Sequence, residues 1–208
     1  MAEAPATREI KLKKHPKLEA APSSEVTEEI DMKYDTTSEE KELNYEDEKV
    51  KDRWSRYIGA MGLEAVKKQS ESQVLLIGLG AVGLEIAKNL ILSGLKRITI
   101  VDNEKIKSHL EHFYMSDLPG ELRTKCLYKL KELNHYVKVD HSDVIPASIE
   151  PYNLIIDTRS GVMSATEKLA EECNKLGKKF ILAETSGVYG RVFNDFGKDF
   201  LVNDTNGE

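Results

Sequence analysis

Positive charge is the first thing this chain is short of. Its 30 lysines and arginines are outnumbered by 36 acidic residues, a net charge of −6 at pH 7. A general nucleic-acid binder needs a basic face to displace counterions from phosphates, so that class is excluded. Cysteine is nearly absent too. Cys126 and Cys173 each fall at an apolar position of a predicted helix. Two cysteines cannot form a metal site by themselves, and the plain reading of both is a buried free thiol in a reducing compartment. No apolar run approaches the ~20 residues that cross a bilayer, and the N-terminus lacks the apolar segment of a secretory signal. A soluble cytoplasmic protein is expected. The basic cluster Lys11, Lys13, Lys14 and Lys17 reads as a solvated tail or as a nuclear-import address.

What is present divides at about residue 52. Residues 1–52 are mildly basic, then heavily acidic, with few large apolar side chains. Such a segment buries too little surface to offset the entropy of ordering, which predicts a disordered charged tail. From Arg53 the pattern changes. A helical segment and a second short helix precede the apolar strand Val74–Ile77. Leu84, Ala87, Leu90 and Ile91 recur at helical spacing, and Gly94 marks the stop. "RITIVD" is a second strand, and Leu122, Cys126, Leu130 and Leu133 lay a stripe on a further helix. "VKVDH", "NLIID" and "KKFILAE" are three more strands, with a helix through Met163, Leu169, Cys173 and Leu176 before the last. The closing "GVYGRVFNDFGKDFLVND" suits antiparallel strands. Strands alternating with helices predict an α/β fold, a doubly wound, Rossmann-like, mostly parallel sheet with a β-rich C-terminal stretch.

Between the first strand and its helix lies a Gly-x-Gly-x-x-Gly turn, Gly78, Gly80 and Gly83. The first glycine permits a tight turn, the second lets the backbone approach a phosphate, and the third lets helix and strand pack closely. Amides at the helix N-terminus attract anions. Asp102, about 20 residues on, stands where an acid takes a ribose hydroxyl. The motif fits a nicotinamide enzyme, an adenylating enzyme, or a scaffold that keeps the turn for packing alone. The flanks favour adenylation over hydride transfer: two short helices precede the first strand, and too little chain follows the fifth for a substrate domain.

The stretch "RWSRYIGAMGLEAVKKQSESQVLLIGLGAVGLEIAKNLILSGLKRITIVD" resembles the opening of the MoeB/ThiF-type adenylating fold. The ending "ETSGVYGRVFNDFGKDFLVNDTNGE" is similar to the stretch that ubiquitin-activating enzymes carry before an inserted cysteine half-domain. This resemblance, from about Arg53 to Glu208, is to the N-terminal half of those enzymes. It implies a domain at 53–208 that is part of an ATP- and magnesium-dependent enzyme. The implied partners are an active adenylation domain or subunit, a catalytic cysteine domain, and ubiquitin or a ubiquitin-like protein. Neither nucleic acid nor membrane is an expected partner.

Active copies of that fold carry an Asn-x-x-Arg pair, a lysine shortly after the next glycine, and a late aspartate for the metal. Cations offset phosphate charge and the carboxylate holds magnesium. This chain departs at each place: His109 and His112 stand in "HLEH", Arg123 in "GELR", and Ser160 in "DTRSG". Asp102 remains. The resemblance therefore implies an inactive copy, with Gly78, Gly80, Gly83, Asp102 and Arg123 as a vestigial nucleotide site and no metal ligands. His109 and His112 read as surface or packing residues. One residue would retain chemistry: the family's aromatic-x-Arg motif is "WSRY" here, so Arg56 is the candidate to reach ATP held by the partner copy, with Tyr57 where glutamine is usual. Two other readings are an NAD-dependent oxidoreductase and a free-standing MoeB-like adenylyltransferase.

Overall fold

The computed structural model describes residues 48–108, 111–161 and 163–201. The tail expected over 1–52 lies outside them except for its last five residues, and these belong to the first helix, α1 (Glu48–Met61). Composition reads these five residues with the tail, and in the structure their backbone is helical. A short helix, α2 (Leu63–Ser70), follows after Gly62.

Five strands then run parallel: β1 (Gln73–Ile77), β2 (Arg97–Val101), β3 (Lys138–Ser142), β4 (Leu154–Asp157) and β5 (Lys179–Ser186). Their order in the sheet is β3-β2-β1-β4-β5, and β6 (Tyr189–Asp195) closes it antiparallel to β5. Gly187 and Val188 make the two-residue connection of that hairpin. The β-rich ending therefore supplies one antiparallel strand, and Phe196–Leu201 adds no other.

Each central strand is apolar on both faces, because helices cover both. Val74 and Leu76 of β1 pack with Ile98 and Ile100 of β2 under Leu84, Ala87 and Ile91 of α3 (Ala81–Ser93). On the other face Leu75 and Ile77 meet Ile155, Phe180, and Leu169 and Cys173 of α5 (Met163–Lys175). Both cysteines are buried and free, and burial pushes each thiol up to about 11.

Gly94 caps α3 in the left-handed region, φ 82°. It is glycine for a second reason, since a Cβ there would lie 2.4 Å from the Trp54 ring.

The single helix expected over Leu122–Leu133 is broken. Leu122 forms an isolated antiparallel bridge with Lys105, Arg123–Cys126 is a 3₁₀ turn, and the α-helix α4 spans only Leu127–Lys131. The bridge holds the start of the segment extended, through Ile106 N–H to Glu121 O (2.8 Å) and Arg123 N–H to Glu104 O (2.9 Å). Cys126, Leu127 and Leu130 still reach the core. Among the described residues no helix is long and apolar enough to cross a membrane.

Candidate functional site

In this strand order the crossovers leave in opposite directions at the β1/β4 boundary, the point where open α/β sheets bind ligands. The glycine turn follows β1 there, and the Thr158–Gly161 loop follows β4 beside it. Thr158 Oγ1 donates within reach of two carbonyls of the turn, Gly78 O (2.8 Å) and Ile77 O (3.1 Å).

The three glycines are held for different reasons. Gly78 has φ 94°, and a Cβ on it would meet Thr158 Oγ1 at 2.7 Å. A Cβ on Gly83 would stand 2.1 Å from the carbonyl oxygen of Gly78. Those two are needed by the fold itself. Gly80 is different: its φ is −68° and a Cβ there would meet nothing within 4 Å.

Asp102, at the end of β2, is buried. One oxygen accepts from Leu79 N–H in the glycine turn (2.6 Å) and the other from Glu104 N–H (2.8 Å). Arg123 Nη1 lies 3.6 Å from the first oxygen, while its Nε donates to Glu111 (3.2 Å). The structure thus brings Asp102 and Arg123 together at the turn, but as partners of one another. Glu111, which the sequence did not single out, completes the trio.

Two further residues went unnoticed. Asp157 is fully buried at the end of β4 and accepts from Arg159 Nε (3.0 Å), Nη2 (2.8 Å) and backbone N–H (3.0 Å), and from Thr166 Oγ1 of α5 (2.9 Å). Its carboxylate raises the already high pKa of Arg159 further. The Arg159 stem passes over Gly78, within 3.3 Å of the place a Cβ would take. The acid and arginine two residues apart at a strand end were the visible signal. Thr166, the third member, comes from α5 and could be found only through the fold.

His112 caps the 3₁₀ turn Phe113–Met115, its Nδ1 accepting from Tyr114 N–H (3.1 Å), and its Nε2 lies 2.8 Å from Glu85 on α3. It is a buried packing residue, as one of its two sequence readings had it. His109 lies outside the described residues. Ser160 is exposed and donates to Thr185 O at 3.3 Å. Among the described residues no group of three or more histidines, cysteines and acids is placed to hold a metal ion.

Arg56 stands apart from all of this, on α1. Trp54, Tyr57 and Ile58 form that helix's inward face, with Val66 of α2. Arg56 is exposed.

The ThiF family model matches residues 54–198. The chain belongs to the ThiF family. It is 35% identical over 162 residues to ubiquitin-like modifier-activating enzyme 1 of Dictyostelium discoideum, covering 74% of this chain and 16% of that protein. Ubiquitin-activating enzyme E1 1 of Schizosaccharomyces pombe is 33% identical over 159 residues, with the same shares covered. The chain thus spans about a sixth of the length of these relatives. Among solved structures, MccB of E. coli in complex with succinimide superposes with a TM-score of 0.55 at 16% identity, over 64% of this chain and 44% of that one. That likeness concerns the fold: a mostly parallel Rossmann-like sheet, as the strand pattern predicted, of the MoeB/ThiF type that the resemblance implied.

Proposed function

We propose that this ThiF-family chain is the inactive adenylation copy of a ubiquitin-activating enzyme, a scaffold that pairs with a second, catalytic copy. ATP and magnesium are then bound mainly by that partner, and the catalytic cysteine lies outside this chain. The similarity to ubiquitin-like modifier-activating enzymes supports the enzyme class.

One observation carries the assignment of the inactive role. The arginines at the glycine turn are both engaged by carboxylates of the chain itself, Arg123 by Asp102 and Glu111, and Arg159 by Asp157. Adenylation requires cations aimed at the phosphates, so that charge developing as a carboxylate attacks the α-phosphate and pyrophosphate departs is offset. Here three acids surround two arginines, and a triphosphate would add negative charge to a site already in acidic excess. Magnesium fares no better. Ser160 offers a neutral hydroxyl at the metal aspartate's position, and a hard dication is held by carboxylates and water. The residues present do not fit either group, so Gly78 and Gly83 are explained by packing and Gly80 as a remnant.

Partner contact is supported by the exposed apolar side chains of β6 and its approaches, Val188, Tyr189, Val192 and Phe193, and by Met61 and Leu63 at the α1–α2 joint. An unpaired apolar surface of this kind marks an interaction site. The exposed Arg56 would reach the partner's nucleotide from α1. An arginine supplied in trans is worth up to ~10³–10⁵ in rate for phosphoryl transfer, an upper guide for adenylation. A cytoplasmic and nuclear location accords with this role.

The test is ATP–pyrophosphate exchange by the complete enzyme. Arg56→Ala slows exchange at least about tenfold while Ser160→Ala runs at the parent rate. Loss of exchange in Ser160→Ala with Arg56→Ala unaffected would place the chemistry in this copy. Titration of the isolated chain adds a second check. Micromolar binding of NAD would favour an oxidoreductase, and exchange by the chain alone a free-standing adenylyltransferase.

A further inference from the structure

We infer that Tyr57 is a positioning residue for Arg56, acting through a hydrogen-bonded chain from Tyr57 to Gln69 to Ser93 that fixes how α1 is rolled on the domain. The inference rests on the trans role proposed above for Arg56.

Among the described residues, two contacts of different kinds tie α1 to the end of α3. Trp54 packs its ring against Gly94, where even a Cβ would collide. A flat ring on a glycine sets the depth of the helix but resists rotation about the helix axis weakly, because dispersion contacts have no direction. The second contact is directional. Tyr57 Oη donates to Gln69 Oε1 at 2.5 Å, and Gln69 Nε2 donates to the carbonyl of Ser93, the last residue of α3, at 3.2 Å. Gln69 thus uses both ends of its amide and joins three helices.

Position on the helix makes this bond relevant to Arg56. Trp54, Tyr57 and Ile58 are spaced i, i+3 and i+4 and share the inward face. Arg56 follows Trp54 by two residues, about 200° round the helix, and so projects from the outward face. Roll of α1 translates directly into displacement of its head group. A ~20° rotation moves a point ~6 Å from the axis by about 2 Å, and a misplacement of ~1 Å can cost about 10²-fold in a positioned reaction. The phenol, present where glutamine is usual, is a polar group on α1 whose directional bond resists this motion. Gly94 and Ser93 adjoin at one end of α3 and Gly80 caps the other, so the anchor point is as rigid as the core helix itself.

Trp54 is the one tryptophan of these 208 residues and lies against Gly94. Its emission and acrylamide quenching in the complete enzyme, taken as the difference from a Trp54→Phe control, report whether α1 stays docked. The experiment compares Tyr57→Phe, Arg56→Ala and the double variant in the complete enzyme, by kcat and ATP KM in pyrophosphate exchange. Expected is a fall in kcat of about tenfold for Tyr57→Phe with KM within about twofold, the pattern of a lost transition-state contact. The double variant should be no slower than Arg56→Ala, because two residues acting through one contact are not additive. Trp54 should remain shielded from acrylamide in Tyr57→Phe. If it becomes exposed, the same comparison is made with Gln69→Leu, which breaks both links without altering α1 and should reproduce the loss and its non-additivity. Arg56→Ala at parent rate would remove the trans reading and this inference with it. Slow Arg56→Ala beside parent-like Tyr57→Phe and Gln69→Leu, or losses that multiply in the double variant, would overturn the positioning role alone.

Discussion

The two ends of α3 differ in how they treat polar groups. At its N-terminus the glycine turn is closed on itself: Asp102 serves two backbone amides, Asp157 takes three donors from Arg159 and one from Thr166, and Thr158 returns to the turn's carbonyls. At its C-terminus the helical arm α1–α2 rests on a small cluster, Trp54 and Val66 with Tyr57 and Ile58, and carries an exposed arginine. Among the described residues the buried side-chain polar atom lacking a partner is Trp54 Nε1, in that arm. The glycine turn is satisfied by groups of its own domain, while the arm built on the smaller cluster carries Arg56 exposed on its surface. On the reading proposed above, the chemistry this chain keeps would lie on the outward arm rather than at the turn.

The comparison breaks most severely at Gly83. Gly83→Ala places a methyl 2.1 Å from Gly78 O and 2.9 Å from Thr158 Oγ1. The first is backbone and cannot rotate aside, so α3 must separate from β1. A loss on the order of 3 kcal/mol or more is expected in urea unfolding. A loss under about 1 kcal/mol would mean that close packing is not what requires glycine there.

Next comes the buried acid. Asp157→Asn keeps the shape but turns one of the two acceptor oxygens into a donor facing Arg159 and Thr166, and removes the charge that pairs with the guanidinium. Breaking a buried pair from one side costs about 3–5 kcal/mol. Arg159 is partly exposed and regains some water, so the low end of that range is expected. An unchanged urea midpoint would show that the pair contributes nothing net.

Why these groups escaped the sequence while the sheet did not is a matter of range. Val74–Ile77 and Ile98–Val101 are apolar on both faces, and Gly94 ends the helix between them, all readable within a few residues. The hairpin partner of β5 was likewise visible as alternating glycine, aromatic and β-branched residues. The 3₁₀ turn at Arg123–Cys126 was not, because its cause is a bridge to Lys105, seventeen positions earlier. Gly78, Gly80, Gly83, Asp102 and Arg123 could be named as a group from their motif. That Arg123 and Asp102 face one another, and that Gly80 has open space where Gly78 and Gly83 have none, are properties of the assembled turn. Trp54 and Gly94 lie forty positions apart and only the fold joins them.

Gly80 gives the third test, with a smaller effect. Gly80→Ser puts a Cβ into open space at the N-cap of α3, a position where serine ranks above glycine and no side chain now caps the helix. Stability should be unchanged or rise by a few tenths of a kcal/mol, and exchange by the complete enzyme should be unaffected. A substantial fall in exchange would mean that phosphate does approach this backbone, and the turn would regain its function.

The smallest effect sits at the edge of the closed region. Glu85, in the first turns of α3, accepts from Lys88 Nζ (2.7 Å) and faces His112 Nε2 (2.8 Å). Because His112 Nδ1 accepts from Tyr114 N–H, the ring proton of the neutral imidazole lies on Nε2 and is donated to the carboxylate. Lys88 first, and His112 second, hold the Glu85 carboxyl below its usual range. A depressed folded pKa contributes stability that is fully present above the unfolded value, about 4.3, and is lost as pH falls through the folded one. Glu85→Gln should therefore be slightly less stable than the parent at pH 7, with the gap closing as pH falls below the ordinary carboxylate range. Thermal unfolding of both proteins between pH 7 and pH 3 measures this. A gap that persists undiminished at pH 3 would show that Glu85 is held by packing and hydrogen bonding rather than by its charge.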